Sequence, residues 1–438
     1  MRIAPAYTKW TKMDQVLIRN GRILDPANKV DSIGDLLITD GKISEIGENI
    51  AIGNGSSTQI VEATGLIVTP GLIDMHVHLR EPGFEHKETI SSGTRAAVAG
   101  GFTSVACMAN TNPVADTPEI VTFIKTQAKK RGAANVFPLG SITKNLAGKE
   151  LTNIPALLDA GAVAVSDDGK TVMNAEIMRQ VLTLSAELDF PVMVHCEEHN
   201  LSAGAPMNLG ETSRILNLPG SPNAAEDIIV ARDIMLAELT GGHIHILHVS
   251  TVGAVELIRW GKQKGIRVTA EAMPHHFTLT ESEINAHGTN AKMHPPLRTQ
   301  TDVDAVLQGL VDGTLDAIAT DHAPHTASEK AQGLAEAPPG IVGLETCVPL
   351  VLTKLVNTNR LSLTEAIAKM TYVPAQILHI NRGTLSPGAV ADVTIIDPHK
   401  IFTVNPEQFQ SKSRNTPFGN WKLNGWPTMV FRDGVLSE

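Results

Sequence analysis

Short runs of apolar residues, interrupted by turn residues, occupy both ends of the chain. In the first 70 residues these runs are VLIRNGRILD, DLLITDGKISEIG and QIVEATGLIVTP, and they contain the dipeptides Asn20-Gly21 and Asp40-Gly41. Asn-Gly and Asp-Gly between apolar runs favour hairpin turns. The same pattern of apolar runs and turn residues occurs near the C-terminus in GTLSPGAVADVTIIDP and PTMVFRDGVL, the latter with another Asp-Gly, Asp433-Gly434. The pattern predicts two β-rich terminal segments that flank a different structure.

Between these segments, strand-like runs alternate with helix-like runs. The strand candidates are GLIDMHVHL, TSVACMAN, ANVFPLGSI, AVAVSDD, PVMVHCEE, HIHILHVS, RVTAEAMPHH and DAIATDHAPH. Helical spacing places apolar residues on one face in two segments, at Ile177, Val181, Leu184 and Leu188 and at Ala224, Ile228, Ala231, Met235 and Leu239. A further helix is predicted to begin at Thr117-Pro118, a cap residue followed by proline. This alternation is typical of parallel βαβ units.

Eight such units favour a closed barrel over an open, doubly wound sheet. We therefore predict an α/β fold in which residues 71–383 form a (β/α)8 TIM-type barrel. Residues 14–70 and 384–438 are predicted to form a small composite β domain, and residues 1–13, which lack periodicity, a loose extension. In such barrels the functional groups gather at the carboxyl ends of the strands.

The amino-acid composition argues against several classes of protein. Of 438 residues, 36 are Lys or Arg and 46 are Asp or Glu, so the formal charge is −10. This charge argues against non-specific binding to nucleic acids or to a membrane surface, and no apolar run reaches the roughly 18 residues of a membrane span. Hydrophobic residues make up 42% of the chain, enough for a large core. Three scattered cysteines indicate a reducing compartment, so we expect a cytoplasmic protein.

Polar side chains end five of the predicted strands. They are His76 and His78 on the first, Asp167 and Asp168 on the fourth, His195 on the fifth, His248 on the sixth and Asp321 on the eighth. Neutral imidazoles and carboxylates suit divalent zinc, and a carboxylate can bridge two ions. A lone histidine at a strand end is more often a capping or hydrogen-bonding residue. Because so many such groups share one predicted rim, we favour a binuclear metal site.

Other histidines fit the metal hypothesis less well. His243 and His245 precede His248 in the same strand, so we predict that they lie in the barrel wall or near its lower end. His275 and His276 follow the seventh strand and could support the metal site, but a structural role is favoured.

Several motifs resemble those of a known family. GLIDMHVHLREPG, GGFTSVACMANTNP, SDDG, VHCEEH, HILHVS, HPPLR and ATDHAPH, in this order, resemble the amidohydrolase superfamily and specifically the type I bacterial dihydroorotases. The resemblance covers nearly the whole chain. HVHLREPG together with ATDHAPH is highly specific, whereas HxH alone marks only the superfamily. The resemblance implies reversible cyclisation of N-carbamoyl-L-aspartate to L-dihydroorotate plus water in de novo pyrimidine biosynthesis, with zinc-activated hydroxide as the nucleophile for hydrolysis.

The resemblance also implies which residues hold the metal. The implied ligands are His76, His78 and Asp321 for one Zn²⁺ and His195 and His248 for a second. Asp168 would bridge the two ions, in place of the carboxylated lysine of many relatives, and Asp167 is the alternative bridge. Asp321 would also act as the general acid and base of the reaction.

The residues that the resemblance implies for substrate binding are His78, Arg80, Asn110, His294, His325, Pro339 and Gly340. A guanidinium suits a carboxylate, so the implied role of Arg80 agrees with its chemistry, although an ordinary salt bridge at the rim is the alternative. His294 stands where many relatives have asparagine, and Pro339 stands where relatives often have a bulky residue. Proline has no amide hydrogen, so only its carbonyl and the Gly340 backbone could serve.

Two other functions stay open. The first is another cyclic amidohydrolase, such as an allantoinase or hydantoinase, although those relatives normally carry the bridging lysine. The second is a non-catalytic, dihydroorotase-like partner of aspartate transcarbamoylase, but such proteins lose metal ligands that this chain retains. We expect a homodimer that binds a small-molecule substrate and neither nucleic acid nor membrane, and an active enzyme could also associate with aspartate transcarbamoylase.

Overall fold

The computed structural model describes residues 15–52 and 57–437, so the predicted extension over residues 1–13 lies outside the described residues. The strands are β1 (Gln15–Asp25), β2 (Val30–Thr39), β3 (Lys42–Gly47), β4 (Thr58–Glu62), β5 (Ile67–Pro70), β6 (Leu72–Val77), β7 (Phe102–Cys107), β8 (Asn135–Pro138), β9 (Pro191–Val194), β10 (Met207–Asn208), β11 (Gly220–Ser221), β12 (His243–Ile246), β13 (Val268–Ala272), β14 (Ala317–Ile318), β15 (Val393–Thr403), β16 (Lys422–Arg432) and β17 (Val435–Leu436). The α-helices are α1 (Ile90–Ala99), α2 (Pro118–Arg131), α3 (Ile154–Asp159), α4 (Ala175–Leu188), α5 (His199–Ser202), α6 (Glu211–Leu216), α7 (Ala224–Thr240), α8 (Val252–Gln263), α9 (Glu283–His287), α10 (Gln300–Val311), α11 (Ala327–Lys330), α12 (Cys347–Val351), α13 (Leu363–Ala368) and α14 (Tyr372–Ile377).

The two ends of the chain form one eight-stranded sheet. Its order is β17-β16-β15-β5-β1-β2-β3, with β4 beside β1. The two ends meet in the antiparallel pair of β5 with β15, in which residues 67–70 face residues 393–396. Apolar side chains from both ends, among them Ile18, Ile23 and Phe431, pack into one core. The sheet therefore depends on both terminal segments, because each covers apolar side chains of the other.

Of the three Asx-Gly dipeptides predicted to form turns in the terminal segments, two connect strands as predicted. Asp40-Gly41 joins β2 to β3, and Asp433-Gly434 joins β16 to β17. The hairpin predicted at Asn20-Gly21 is wrong, because these residues lie inside β1, at a shift in its register with β2. A Cβ on Gly21 would lie 2.5 Å from the Cγ2 atom of Val68 on β5. Glycine is therefore needed at this position for the close approach of β5.

The parallel strands in the middle of the chain form two sheets, β6-β7-β8 and β9-β12-β13-β14. Isolated parallel bridges continue the pairing beyond these sheets, from Gly140 to Val165, from Val165 to Val192 and from Val77 to His322. The fourth predicted strand, AVAVSDD, is thus reduced to the single bridging residue Val165. Parallel strands separated by helices confirm the predicted α/β class.

The predicted helices agree in part with the structure. Helix α2 begins at Pro118, directly after Thr117, as predicted. The apolar face predicted for α7 is wrong, because Met235 and Leu239 are 57% and 69% exposed, whereas Ile234 is buried. Helix α7 packs against α4 and α8 through its other side. Since α7 is apolar on more than one side, periodicity alone does not identify the side that packs.

Methionine, alanine and leucine side chains fill the space between the parallel strands. They include Met75, Ala106, Leu139, Met193, Leu247 and Ala319, all fully or almost fully buried. This apolar layer lies next to the strand ends that bear the polar groups described below. Among the described residues, none of the helices has both the length and the apolar character that crossing a membrane requires.

Candidate active site

A cavity of about 220 Å³ opens where the parallel strands end. Its lining includes His78, Arg80, Asn110, Asp168, His195, His294, Asp321, His325 and Pro339. His78 follows β6, and Asp321 lies just beyond β14. Because the strands are parallel, their carboxyl ends lie on one side of the molecule. The fold therefore brings His78 into contact with Asp321, 243 positions further along the chain.

His76 and His78 both face Asp321. The Nε2 atom of His78 lies 2.9 Å from Asp321 Oδ1, and the Nε2 atom of His76 lies 3.4 Å from the same oxygen. Residues two apart on a strand point to the same side, which explains why the HxH spacing places both imidazoles in one site. The ligand atoms of these three residues are close enough together to hold one metal ion.

Asp168 lies between two pairs of histidines. Its Oδ1 atom is 3.3 Å from His248 Nε2 and 3.6 Å from His195 Nδ1. Its Oδ2 atom is 3.4 Å from His78 Nε2 and 3.6 Å from His76 Nε2. The facing nitrogens of His195 and His248 are 2.9 Å apart. A carboxylate that turns one oxygen toward each pair has the arrangement of a bridging ligand.

Asp167 has a different environment from its neighbour. Its Oδ1 atom accepts hydrogen bonds from the backbone N–H groups of Ile142 and Thr143, at 2.8 and 3.0 Å. Its Oδ2 atom accepts a hydrogen bond from the Thr143 hydroxyl. The side chain of Asp167 therefore holds the loop that follows β8, and of the two aspartates Asp168 is the one that faces the histidines.

The charged groups of this cluster shift one another's pKa values. Burial raises the pKa of Asp168, but nearby histidines, His76 foremost, lower it well below its usual value. Burial lowers the pKa of His76, but Asp321, Glu271 and Asp168 raise it well above its usual value. The Asp168 carboxylate is thus kept ionised inside a buried site, and an ionised carboxylate is the form that binds a metal cation.

The donor set of the cluster fits a divalent metal ion. The Nε2 atom of His76 is buried and has no hydrogen-bond partner among the described residues, although carboxylate oxygens lie 3.4 and 3.6 Å away. His76, Asp168 and His248 form a second group whose ligand atoms are close enough to hold an ion. Imidazole and carboxylate ligands together suit zinc, whereas magnesium and calcium prefer oxygen ligands alone. The residues present therefore fit a metal site.

Three residues of the site have a left-handed backbone conformation. The φ angle is +63° at Arg80, +32° at His248 and +46° at Asp321. Such angles are uncommon for residues that have a Cβ, and they cluster at functional sites. Each of the three lies shortly after a parallel strand, so local backbone strain accompanies the side-chain cluster at the strand ends.

Arg80, Asn110 and His325 lie beside the cluster. The Nη2 atom of Arg80 is 3.3 Å from His325 Nε2, and Asn110 Oδ1 accepts a hydrogen bond of 3.0 Å from His78 Nδ1. Burial and neighbouring cations, Arg80 first among them, lower the pKa of His325 to about 2, so its imidazole is neutral and accepts from Arg80. Within the described part of the chain Arg80 forms no ion pair, so the salt bridge considered as its alternative role is absent.

His294, Pro339 and Gly340 differ in how they meet the cavity. His294 and Pro339 line it, and His294 Nδ1 lies 3.9 Å from Glu197 Oε1. The Gly340 N–H donates to the Lys292 carbonyl at 2.9 Å, and the Gly340 carbonyl accepts from Lys330 Nζ at 3.1 Å. Both backbone groups of Gly340 are therefore engaged within the protein, and its contact with substrate stays a prediction that would require these bonds to open.

Two carboxylates of the site are absent from the sequence-based set. Glu271 Oε1 lies 2.6 Å from His76 Nδ1, and Glu197 Oε2 lies 3.3 Å from His195 Nε2. A single acid inside the apolar strand RVTAEAM is the signal that could identify Glu271. Glu197 lies two residues after His195, a spacing that keeps both side chains on one side of an extended segment.

His243, His245 and His276 lie in or directly after the parallel strands. His243 and His245 are buried in β12. His276 Nε2 lies 2.9 Å from the Pro295 carbonyl, which is a structural contact. His245 is linked to the candidate metal site, because its Nε2 atom lies 3.3 Å from Oε2 of Glu271, which contacts His76.

Comparison with known proteins identifies close relatives. A model of the Dihydro-orotase-like family matches residues 65–254, and a model of the Amidohydrolase family matches residues 283–436. The chain is 52% identical over 427 residues to a dihydroorotase of Pelotomaculum thermopropionicum, covering 97% of this chain and 99% of that protein. It is 47% identical over 421 residues to a dihydroorotase of Solibacter usitatus, covering 96% and 97%.

Solved structures of similar fold include hydantoinases. The L-hydantoinase (dihydropyrimidinase) from Arthrobacter aurescens is 25% identical, with a TM-score of 0.87 over 97% of this chain and 96% of that one. A D-hydantoinase that is 24% identical has a TM-score of 0.84 over 96% and 95%. These structures share the amidohydrolase fold, but the full-length identity near 50% is to dihydroorotases. The chain therefore belongs to the dihydroorotase family of the amidohydrolases.

Proposed function

We propose that this protein is a zinc-dependent dihydroorotase, which interconverts N-carbamoyl-L-aspartate and L-dihydroorotate plus water in de novo pyrimidine biosynthesis. In the hydrolytic direction the oxygen of water adds to a ring carbonyl carbon, the ring C–N bond breaks and the nitrogen gains a proton. The observation that carries the proposal is that Arg80 shares one cavity with Asp168 and Asp321. This places a group for a substrate carboxylate beside groups suited to amide hydrolysis.

A hydantoinase activity is the second candidate, because solved structures of similar fold bear that name. Two observations favour the dihydroorotase. Identity to the dihydroorotase of Pelotomaculum thermopropionicum is 52%, against 25% for the hydantoinase. Hydantoin itself has no carboxylate, so the half-buried guanidinium of Arg80 beside the neutral His325 would have no anionic partner on that substrate.

Zn²⁺ is the proposed cofactor, with two ions per subunit. His76, His78 and Asp321 would hold one ion, and His195 and His248 the other, with Asp168 between them. The close ligand atoms of His76, His78 and Asp321 support the first ion, and those of Asp168 and His248, grouped with His76, support part of the second. A divalent ion bound there would supply Lewis-acid polarisation of the amide carbonyl and a lower pKa for water.

Asp321 is proposed as the general acid and base. The residue is 4% exposed and lines the cavity in which the substrate would bind. In hydrolysis a carboxylate oxygen of Asp321 would take a proton from the attacking water and deliver it to the departing ring nitrogen. In cyclisation it would take the proton from the carbamoyl nitrogen as that atom attacks the side-chain carboxylate carbon.

Arg80 and Asn110 are proposed to orient the substrate carboxylate, assisted by His325. His325 supports the guanidinium by accepting from Nη2, which leaves the charge of Arg80 without a protein carboxylate in the described residues. His78, His294, Pro339 and Gly340 complete the proposed substrate contacts. Of these, His78, His294 and Pro339 line the cavity.

A closed eight-stranded barrel is proposed for the parallel strands. The bridges at Val165 support closure on one side and the bridge from Val77 to His322 supports it on the other. The division into a barrel at residues 71–383 and a composite domain at residues 14–70 and 384–438 is likewise a proposal. The sheet that β5 and β15 join is its support.

Turnover of L-dihydroorotate, allantoin and hydantoin by the zinc-loaded protein tests the proposed activity. We expect kcat/KM to be about 10- to 100-fold higher for L-dihydroorotate, which is what one charge-assisted hydrogen bond of roughly 1.5–3 kcal/mol provides. Protein stripped of metal is the control and should be inactive. Faster turnover of hydantoin or allantoin would contradict the assignment.

The oligomeric state, an association with aspartate transcarbamoylase and a cytoplasmic location stay predictions. Exposed apolar side chains on α7, including Ile228, Met235 and Leu239, are compatible with a homodimer. Sedimentation analysis of the purified protein, alone and with aspartate transcarbamoylase, would show whether either assembly forms.

A further inference from the structure

Glu271 is a fully buried carboxylate inside the parallel strands. It lies on β13 and has no exposed surface. Its Oε1 atom is 2.6 Å from His76 Nδ1, and its Oε2 atom is 3.3 Å from His245 Nε2. Glu271 thus joins the imidazole of His76 to a second imidazole in the neighbouring strand β12.

A carboxylate in such a place is costly unless neighbouring groups compensate it. Here both oxygens face ring nitrogens, and His245 is held in turn by Thr269, whose hydroxyl lies 2.9 Å from His245 Nδ1. The bond to His76 therefore holds Oε1 of Glu271, and Oε2 faces His245 at ion-pair distance, without a hydrogen bond within the described part of the chain. Replacement of this group by an apolar residue would remove the polar partner of His76 from the interior.

The contact determines which nitrogen of His76 faces Asp168 and Asp321. A carboxylate oxygen accepts, so Nδ1 of His76 carries the hydrogen of this bond, and in the neutral ring, the form that binds a metal, Nε2 presents its lone pair. That Nε2 atom is the one that lies 3.4 Å from Asp321 and 3.6 Å from Asp168. The ring of His76 is held in the orientation that a metal ligand requires.

His78 and His195 have longer contacts of the same kind, whereas His248 Nδ1 has no hydrogen-bond partner among the described residues. Asn110 Oδ1 is 3.0 Å from His78 Nδ1, and Glu197 Oε2 is 3.3 Å from His195 Nε2. Of these three contacts, that of Glu271 is the shortest and the most deeply buried. His76 is also the residue common to both groups of close metal-binding atoms.

We infer that Glu271 is a positioning residue for the metal centre: it orients His76 through Nδ1, and His245 holds Glu271 in place. The inference rests on the proposed metal site of the dihydroorotase. Loss of an outer partner of this type typically lowers metal affinity by about 10- to 100-fold. Glu271 touches neither substrate nor reacting atoms, so its effect must appear in metal binding itself.

Competition between the protein and a chromophoric chelator for Zn²⁺ measures this effect without any assay of turnover. We expect Glu271→Gln to raise the Kd for Zn²⁺ by about 10-fold and Glu271→Ala by about 100-fold. The glutamine is the conservative variant because its amide oxygen can still accept from His76 Nδ1 but bears no charge. Asp233→Asn is the matched control, since Asp233 is equally buried but lies on α7, paired with Arg232.

The outcomes separate the inference from the proposed function. A Kd for Glu271→Gln within twofold of wild type, in a folded protein, would overturn the positioning role and leave the metal site intact. If wild type binds no Zn²⁺, the proposed function and the inference both fail. Should Glu271→Gln not fold, His245→Gln decides the question, because it releases Glu271 on one side and should raise the Kd by about threefold. An unchanged Kd in a folded His245→Gln protein would then overturn the inference.

Discussion

Neighbouring residues of this site have different contacts because an extended segment turns alternate side chains to opposite sides. Asp168 faces His76, His78, His195 and His248, whereas Asp167 accepts three hydrogen bonds from the loop after β8. The motif Ser-Asp-Asp-Gly contains both aspartates, and the sequence does not show which of the two carboxylates faces the histidines. Only the contacts of each carboxylate in the folded structure distinguish Asp168 from Asp167.

Asp168→Ala should lose metal and activity, whereas Asp167→Ala should keep more of both and lose stability instead. Removal of the Asp167 carboxylate leaves the N–H groups of Ile142 and Thr143 unpaired, at about 1–3 kcal/mol each. Zinc content, turnover and thermal midpoint, measured on both variants, distinguish the two residues. Equal loss of zinc in both would leave the bridging role unassigned.

Arg80→Gln should raise KM for L-dihydroorotate by about 10- to 100-fold, because it removes a charge-assisted hydrogen bond to the substrate carboxylate. Dihydrouracil, the same ring without the carboxylate, is the matched control substrate, and its slower turnover should change little. Arg95→Gln, on the exposed side of α1, is the control variant. A similar loss on both substrates would indicate that Arg80 maintains the site and does not recognise the carboxylate.

Among the secondary-structure elements, α7 shows where periodicity is insufficient. Its sequence contains apolar residues on several sides, and the side that packs against α4 and α8 includes Ile229 and Ile234. The alternative stripe, with Met235 and Leu239, faces solvent. Neighbouring helices select one stripe because only that one fits their grooves.

Substitutions at adjacent positions of α7 test this orientation. Ile234→Ala should lower the free energy of unfolding by about 2–5 kcal/mol, since it removes a fully buried side chain. Met235→Ala, at a position that is 57% exposed, should change it by less than about 0.5 kcal/mol. Thermal midpoints of the two variants provide the comparison. The opposite order would mean that the predicted stripe, and not the observed one, packs against the protein.

At the scale of the whole molecule, burial of neutral histidines couples folding to pH. His243 lies at the start of β12, and its Nε2 atom is 2.9 Å from the Thr269 hydroxyl. Burial, with nearby cationic groups, lowers the pKa of His243 from 6.5 to about 3. Between these values the unfolded chain binds a proton that the folded protein does not, so this residue makes the fold less stable as the pH falls below 6.5.

His243→Gln should therefore weaken the acid sensitivity of the protein. As the pH falls from about 6.5 towards 4, wild type should lose stability relative to the variant by up to about 1.4 kcal/mol per pH unit. Thermal midpoints of both proteins, recorded across this range after removal of metal, measure the difference. Parallel curves would show that His243 does not remain neutral in the folded state.

Residue order alone was sufficient to predict the parallel α/β class, the β-rich ends and the family. Strand periodicity, turn dipeptides and ligand spacing are local properties, and motifs such as HVHLREPG and ATDHAPH occupy short stretches of chain. The family relationship to dihydroorotases is confirmed by relatives 47% and 52% identical over nearly the whole chain. The metal ligands and substrate contacts predicted from the same motifs stay predictions, although the fold brings most of them to one cavity.

Other features of the protein are determined by contacts between segments that are distant in sequence. The close packing at Gly21 depends on β5, and the packed side of α7 depends on α4 and α8. The orientation of Asp168 depends on contacts with residues far along the chain, such as His248. Glu271 is the clearest case. Its role in orienting His76 can be recognised only from the folded structure, in which the two side chains lie 2.6 Å apart. Local patterns record which side chains alternate, but the free energy of burying a group depends on the partners that meet it in three dimensions.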